Sequence, residues 1–307
     1  MTHESATQPH PADWAAADRA ATVGAMADGA PAAQAPADRA PADPATADQA
    51  PANWATADEA PAGEAPDPAT ADQALAGRAP ADWAAAYPAE AADPHCLAEG
   101  EGEELLRGAP WRRFAVVGDS LAEGLGDPLP GYRTAFWADR TAEALHSAAP
   151  GTVYANLGRR GLTTAQVRAE QADRAAAFAP DLVAVVCGGN DLLLPGFSPA
   201  AVAHEMDLLF GRLAAPSRTL FAFALANVAA AVPELRGGPL EEGVALLNSI
   251  VRETAQRHGA VLVEMYDHPA VGDRDLYSAD LVHATARGHA VIAAATIRAL
   301  SRQITAG

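Results

Sequence analysis

Five short apolar runs recur along the second two-thirds of the chain, each followed by a stretch with helical periodicity. That alternation restricts the possible folds more than any other feature of the sequence. The runs are Phe114–Val117, Thr152–Leu157, Leu182–Cys187, Arg218–Leu225 and Ala260–Met265. Short apolar runs bounded by glycine, proline or polar clusters read as strands. Leu182–Cys187 is apolar throughout, as expected of a central parallel strand covered on both faces. A first helix is expected over Tyr132–His146, with Phe136, Trp137, Ala144 and Leu145 toward the core. Thr163 or Thr164 can cap a second, running to about Phe178. A third starts near Pro199 and buries Val202, Met206, Leu209 and Leu213. Leu240, Val244, Leu247 and Val251 mark a fourth, stopped by Gly259. The last begins near Ala284 and buries Val291, Ile292, Ala295 and Leu300. Strands alternating with helices imply a parallel sheet, and right-handed crossovers make a three-layer α/β/α sandwich the simplest solution.

Upstream of the first run the chain is a different polymer. Between Met1 and His95 the only Val, Leu, Ile or Phe residues are Val23 and Leu75. Such a stretch cannot bury enough apolar area to offset the entropy of ordering it. Segments repeat within it: Asp43–Ala50 returns as Asp67–Ala74, and Pro11–Trp14 returns as Pro80–Trp83. The repeats lack an apolar stripe to stack on a neighbour, which argues against a solenoid. Thirteen prolines in the first 100 residues break the helices that alanine favours. The expected organisation is a disordered Ala/Pro/Asp-rich tail over 1–105 and one folded domain over 106–307. Trp14, Trp54 and Trp83 stand out in the tail as possible docking anchors, against a plain solubilising role.

Charge excludes some functions. Of the net charge of −18, the first 100 residues carry −13 and the remainder −5. Nucleic-acid binding draws on basic clusters, and only Arg112-Arg113 and Arg159-Arg160 are adjacent basic pairs. No nucleic-acid partner is expected. The N-terminus lacks a basic region followed by an apolar one, and no stretch approaches the ~18 apolar residues of a membrane span. A cytoplasmic location is the expectation. Two cysteines make no disulfide scaffold, and Cys187 reads as a core residue. No His, Cys, Asp or Glu spacing suits a metal and no Gly-rich loop suits a phosphate, so neither metal nor cofactor is expected.

The chemistry lies where the strands end. Phe114–Val117 stops at Gly118-Asp119-Ser120, which puts a serine at the carboxyl end of a strand, where open α/β sheets bind ligands. A serine hydroxyl needs a base to take its proton and a third group to orient that base. Asp280-Leu-Val-His283 offers both, three residues apart, just before the final helix. The oxyanion formed on attack needs donors already in place. The N–H groups of Ser120 and Gly158 and the Asn190 side chain are the candidates. Each block has a plainer reading: Ser120 and Asp280 as helix caps, His283 as a surface residue, Asn190 as a turn residue. Asp119 and Asp191 read as bracing or capping carboxylates. His289 reads as structural, and His204 and His258 as solvated.

Taken together, Gly118-Asp119-Ser120-Leu121, Asn156-Leu157-Gly158, Gly188-Gly189-Asn190-Asp191 and Asp280-Leu-Val-His283 resemble the SGNH (GDSL-type) hydrolase family, over nearly all of residues 113–303. The resemblance implies a flavodoxin-like five-stranded sandwich without the Gly-x-Ser-x-Gly elbow. It implies Ser120 as nucleophile, His283 as base, Asp280 as its partner, and Ser120 N–H, Gly158 N–H and Asn190 as the oxyanion hole. It implies a metal-free serine esterase acting on an acyl ester, lipid or O-acyl sugar. Acyl transfer or thioester cleavage by the same residues, an inactive binding module, and a scaffold role for the tail are the alternatives. Arg159-Arg160 would attract an anionic acyl group if they faced the cleft. The loops at 126–134, 192–199, 226–239 and 266–279 should carry specificity. Pro195, Phe197, Val232 and Leu235 there hint at an apolar acyl pocket.

Overall fold

The computed structural model describes residues 82–305. The expectations for residues 1–81, including the repeats, Trp14 and Trp54, lie outside the described residues. In chain order the elements are helices α1 Trp83–Ala86, α2 Pro88–Ala92 and α3 Glu101–Leu105, strand β1 Arg113–Gly118, α4 Ser120–Glu123, α5 Trp137–Ala148, β2 Val153–Asn156, α6 Thr164–Ala177, β3 Leu182–Val186, α7 Gly189–Leu193, α8 Pro199–Leu213, β4 Thr219–Ala224, α9 Val228–Ala231, α10 Pro239–His258, β5 Val261–Glu264 and α11 Ala286–Thr305. The five strands form one sheet in the order β2-β1-β3-β4-β5, and every pairing is parallel. This is the flavodoxin-like order, in which the chain switches direction beside β1 and opens a crevice at the strand carboxyl ends.

Alternate residues of β1 feed two cores, as a pleated strand requires. Phe114 and Val116 point to one face, where Trp137 and Leu145 of α5 and Val291, Ile297 and Leu300 of α11 cover them. Ala115 and Val117 point to the other, under Val167 of α6, Met206, Leu209 and Phe210 of α8 and Leu247 of α10. The result is the expected three-layer sandwich. Thr163 caps α6 through a reciprocal capping box with Gln166. Ser198 caps α8, with Pro199 in the first turn. Ile292 and Ala295 are only half-buried; the inward face of α11 runs instead through Val291, Ala294 and Ile297. The 227–239 stretch holds α9 and a turn of 3₁₀ helix at Pro233–Leu235.

The boundary at 105 is corrected. Residues 82–105 form three short helices that pack on the domain. Trp83 is buried to 8% exposure rather than displayed for a partner. Two acids fasten this segment. Glu90, 3% exposed, accepts from Arg140 Nη1 at 2.5 Å and Nη2 at 3.0 Å, and from Arg133 N–H at 2.9 Å. Asp93 accepts from Arg287 Nε at 2.7 Å and from the Tyr132 hydroxyl at 2.9 Å. Hydrogen bonding outweighs burial at Asp93 and holds its carboxyl below the usual range. Arg287 also reaches Asp273 at 2.9 Å and Asp275 at 2.6 Å. The same contacts explain why α5 begins at Trp137 and not at Tyr132. The backbone before it is spent elsewhere: Gly131 C=O accepts Glu90 N–H, and Arg133 N–H goes to the Glu90 carboxylate.

Removing one partner of a buried ion pair leaves an uncompensated charge, at a cost of about 3–5 kcal/mol. Glu90→Ala should therefore lower unfolding free energy by about that amount, measured by urea denaturation. Glu90→Ala combined with Arg140→Met should recover much of the loss, because no orphan charge remains.

Candidate active site

The end of β1 is fixed from three sides. The buried Gln171 side chain of α6 accepts Gly118 N–H at 2.7 Å and donates to Gly118 C=O at 2.9 Å. Arg159 N–H also donates to Gly118 C=O, at 3.1 Å, and Asp119 N–H donates to Val186 C=O at 3.0 Å. Gly118 has φ +152°, and a β-carbon there would sit 1.9 Å from Val186 O. Only glycine fits. The chain then turns into α4, with Asp119 as its cap, accepting Leu121 N–H at 3.1 Å. Ser120 is the first residue of that helix, so its N–H has no intrahelical acceptor.

The structure brings Ser120, His283 and Asp280 together as expected. His283 Nε2 lies 2.8 Å from Ser120 Oγ, across 163 residues of sequence. His283 Nδ1 lies 2.6 Å from Asp280 Oδ2. Asp280 Oδ1 accepts the N–H groups of Val282 and His283 at 2.9 and 3.0 Å. Burial raises the Asp280 carboxyl, but the His283 and Val282 hydrogen bonds outweigh it and hold it below the usual range. Asp280 stays ionised, so His283 donates Nδ1–H to it and presents the Nε2 lone pair to the serine O–H. The loop between them is tight. Leu281 has φ +62°, a left-handed conformation that costs a residue with a β-carbon about 1–2 kcal/mol. Backbone strain of this kind persists only where surrounding contacts enforce it.

The oxyanion donors differ from expectation at one position. Gly158 N–H is not free: it donates to the Asn156 side chain at 2.9 Å, closing a local turn. Asn156 Nδ2 in turn donates to Ala122 C=O on α4 at 2.7 Å. Gly158 matters for space instead, since a β-carbon there would lie 2.4 Å from Glu123 N. The next glycine of the loop is Gly161. It has φ +78° and its N–H has no acceptor among the described residues. It sits between two anchors. Arg160 N–H is held by Glu123 of α4 at 2.6 Å, and Leu162 C=O accepts from Asn190 Nδ2 at 3.0 Å. Asn190 keeps its second amide hydrogen. The sequence signal was a second glycine three residues on, at the turn before the α6 cap.

Asp191 braces, as expected, accepting Thr164 N–H and hydroxyl at 2.8 and 2.9 Å. His289 is buried and structural. Its Nε2–H donates to Leu125 C=O at 3.0 Å, Nδ1 faces Trp137 N–H at 3.4 Å, and burial pushes it down to about 4. His258 is half-buried against Phe210 and pairs with Asp207 at 2.8 Å, so it is not simply solvated. Arg159 and Arg160 are tied to Glu170 and Glu123, which cancels the charge a free arginine pair would offer an anionic substrate. Phe197 packs on the α6–α8 core, and Val232 and Leu235 pack on the other; these three fill loops. Among the described residues no helix is long and apolar enough to cross a membrane, and no group of three His, Cys, Asp or Glu residues is placed to hold a metal ion.

A serine hydrogen-bonded to a histidine–aspartate pair, at the carboxyl rim of a 2-1-3-4-5 sheet, is the arrangement of an ester-bond hydrolase. The chain belongs to the GDSL-like Lipase/Acylhydrolase family, whose model matches residues 116–291. Among solved structures it is similar to LAE5, an alpha/beta hydrolase enzyme from the metagenome of Lake Arreo, Spain, at 20% identity and a TM-score of 0.52, over 64% of this chain and 97% of that one. It is similar to the lipase/acylhydrolase from Enterococcus faecalis at 17% identity and a TM-score of 0.50, over 62% and 96%. It is also similar to Axe2, an acetylxylan esterase from Geobacillus stearothermophilus, at 18% identity and a TM-score of 0.51, over 62% and 94%. At these identities the likeness is one of fold. No curated protein matches the sequence.

Asp119 supplies a pH test. Burial raises its carboxyl to about 7, against the pull of the Leu121 N–H. An unfolded aspartate titrates near ~4. The folded state thus binds the extra proton between those values, and this group makes stability fall as pH rises from about 4 to about 7. Asp119→Asn keeps an acceptor for Leu121 N–H and removes the titration. The thermal midpoint of the variant relative to wild type should rise across that window; a constant difference would contradict the assignment.

Proposed function

We propose that the protein hydrolyses carboxylic esters through an acyl-enzyme formed on Ser120. The observation that carries this is the unbroken line Ser120 Oγ–His283–Asp280, with contacts of 2.8 and 2.6 Å. His283 takes the serine proton as Oγ attacks the carbonyl, and Asp280 steadies the imidazolium that results. The negative oxygen is received by Ser120 N–H, Gly161 N–H and the free amide hydrogen of Asn190. His283 then passes its proton to the leaving alcohol. Water repeats the sequence on the acyl-enzyme and releases the acid.

Water is favoured over an alcohol as acceptor by the exposure of the site. The Asp280 side chain is 49% exposed and that of His283 is 20% exposed, so among the described residues that side of the site is open to solvent. The substrate class this reading supports is a small or O-acyl ester that can reach an open rim. The Axe2 relative is named an acetylxylan esterase, which makes an acetylated sugar a first substrate to assay.

A fluorophosphonate probe should label the wild-type protein and fail to label Ser120→Ala. The same variant should lose at least about 10³-fold in ester hydrolysis while keeping its circular-dichroism spectrum. Retained turnover would overturn the assignment. Asn190→Ala should lower kcat by about 10²–10³-fold, as expected for loss of one oxyanion donor, in steady-state assays on an acetyl ester.

A further inference from the structure

The hairpin that presents Asp280 and His283 is short, with buried arms and an exposed turn. Tyr277 and Ala284 form a single antiparallel bridge. Ser278 N–H donates to His283 C=O at 2.8 Å, and Thr285 N–H donates to Leu276 C=O at 3.1 Å. Its turn contains the strained Leu281, and its acid is half-exposed. Its arms are buried, with Leu276 and Tyr277 in the core, but the turn that carries Asp280 and His283 is exposed or half-exposed, and contacts from another part of the chain reach it.

Those contacts come from residues 125–127, only a few positions beyond the serine. Leu125 N–H donates to Ser120 C=O at 3.1 Å, and Leu125 C=O accepts His289 Nε2–H at 3.0 Å. Gly126 lies so close to the hairpin that a β-carbon would sit 1.9 Å from Ala284 O. Asp127 then engages the hairpin with three groups. Its N–H donates to Ser278 Oγ at 2.9 Å, its C=O accepts Ala286 N–H at 2.8 Å, and its Oδ2 accepts Ala279 N–H at 2.8 Å. Ser278 Oγ passes the link on to Ala284 C=O at 3.0 Å. Ala279 directly precedes Asp280, and Ala284 directly follows His283. Both ends of the catalytic turn are therefore tied to the loop that leaves the nucleophile.

We propose that Asp127 is a positioning residue that sets His283 and Asp280 against Ser120 through the Ala279 N–H and Ser278 Oγ contacts. This rests on the ester-hydrolase reading of the same site. Asp127 touches neither the serine nor the imidazole; it acts through the hairpin. Its loss displaces the base from Ser120 Oγ and leaves the oxyanion donors and the acyl-binding surface where they are. The effect belongs in kcat, with KM little changed.

The test uses the full chain and p-nitrophenyl acetate as probe. Asp127→Ala removes the side-chain acceptor and keeps both main-chain contacts. It should lower kcat by about 10- to 100-fold, since misplacing a reacting group by an ångström can cost up to about 100-fold. Asp127→Asn should restore most of the rate, because its amide oxygen accepts the same Ala279 N–H. If Asp127→Ala does not fold, Ser278→Ala takes its place and should show the same loss in kcat alone. A folded Asp127→Ala with wild-type kcat would overturn the proposal, as would equal impairment of the Asn variant or an unimpaired Ser278→Ala. If instead Ser120→Ala keeps its turnover, the underlying reading fails. If wild type is labelled by fluorophosphonate and Asp127→Ala is fully active, only the role of Asp127 fails.

Discussion

The pair of hydrogen bonds between the Gln171 side chain and the Gly118 backbone governs the geometry of the site. β1 ends level with β3, Gly118 opposite Val186, and a buried unpaired amide at that end would be costly. Gln171 gives each of the two Gly118 groups a partner from α6, Arg159 N–H adds a second donor to the C=O, and together they fix the end of β1. The chain can then turn within one residue, because Gly118 has no side chain to collide with Val186. Asp119 caps the next helix, and Ser120 emerges at the switch point of the sheet with a free N–H. Gly158 packs against the same short helix from the β2 side. The placement of Ser120, its free N–H and the Asp119 cap are thus consequences of how one strand ends.

The segment before β1 shows how composition misleads about order. Residues 82–105 contain almost no branched apolar side chains, and by that measure they belong with the tail. They pack through other means. Trp83 and Cys96 are buried, and Glu90 and Asp93 bond to Arg140 and Arg287 of the domain. Acids that add to the net charge in a sequence count are, in the fold, partners for buried arginines. The segment also joins the loops at 127–136 and 266–276, since Glu90 binds the first and Asp93 shares Arg287 with Asp273 and Asp275 of the second.

Strands, helices and the Ser120, Asp280 and His283 positions were legible in the sequence because each is encoded locally. A five-residue apolar run, a threonine cap, or an acid three residues before a histidine is visible within one turn or one strand. What was not legible depends on competition between groups distant in sequence or on a side-chain rotamer. Gly158 N–H was free until the Asn156 amide claimed it, and no spacing rule announces that choice. Arg159 and Arg160 look like a free basic pair until Glu170 and Glu123, from two different helices, neutralise them. The start of α5 moved because Glu90, more than 40 residues upstream in the chain, took the backbone bonds of the residues before it.

An active site half-open to water gains little from a low dielectric, since exposed charges interact weakly. Its catalytic geometry must then come from the protein's own hydrogen bonds, made before substrate arrives. The network here has that character. From Ser120 it runs through Leu125 to His289, through Asp127 to Ser278 and Ala279, and through Asp280 to His283, returning to Ser120 Oγ. Because it is a closed ring, displacing any member moves His283 relative to Ser120. The strained Leu281 conformation is held within that ring, where the bonds on either side of the turn oppose its relaxation. A left-handed leucine at the tip of an exposed turn would otherwise be free to relax, and the histidine would relax with it. The ring is what allows an open rim to keep Ser120 and His283, separated by 163 residues of sequence, at hydrogen-bond distance.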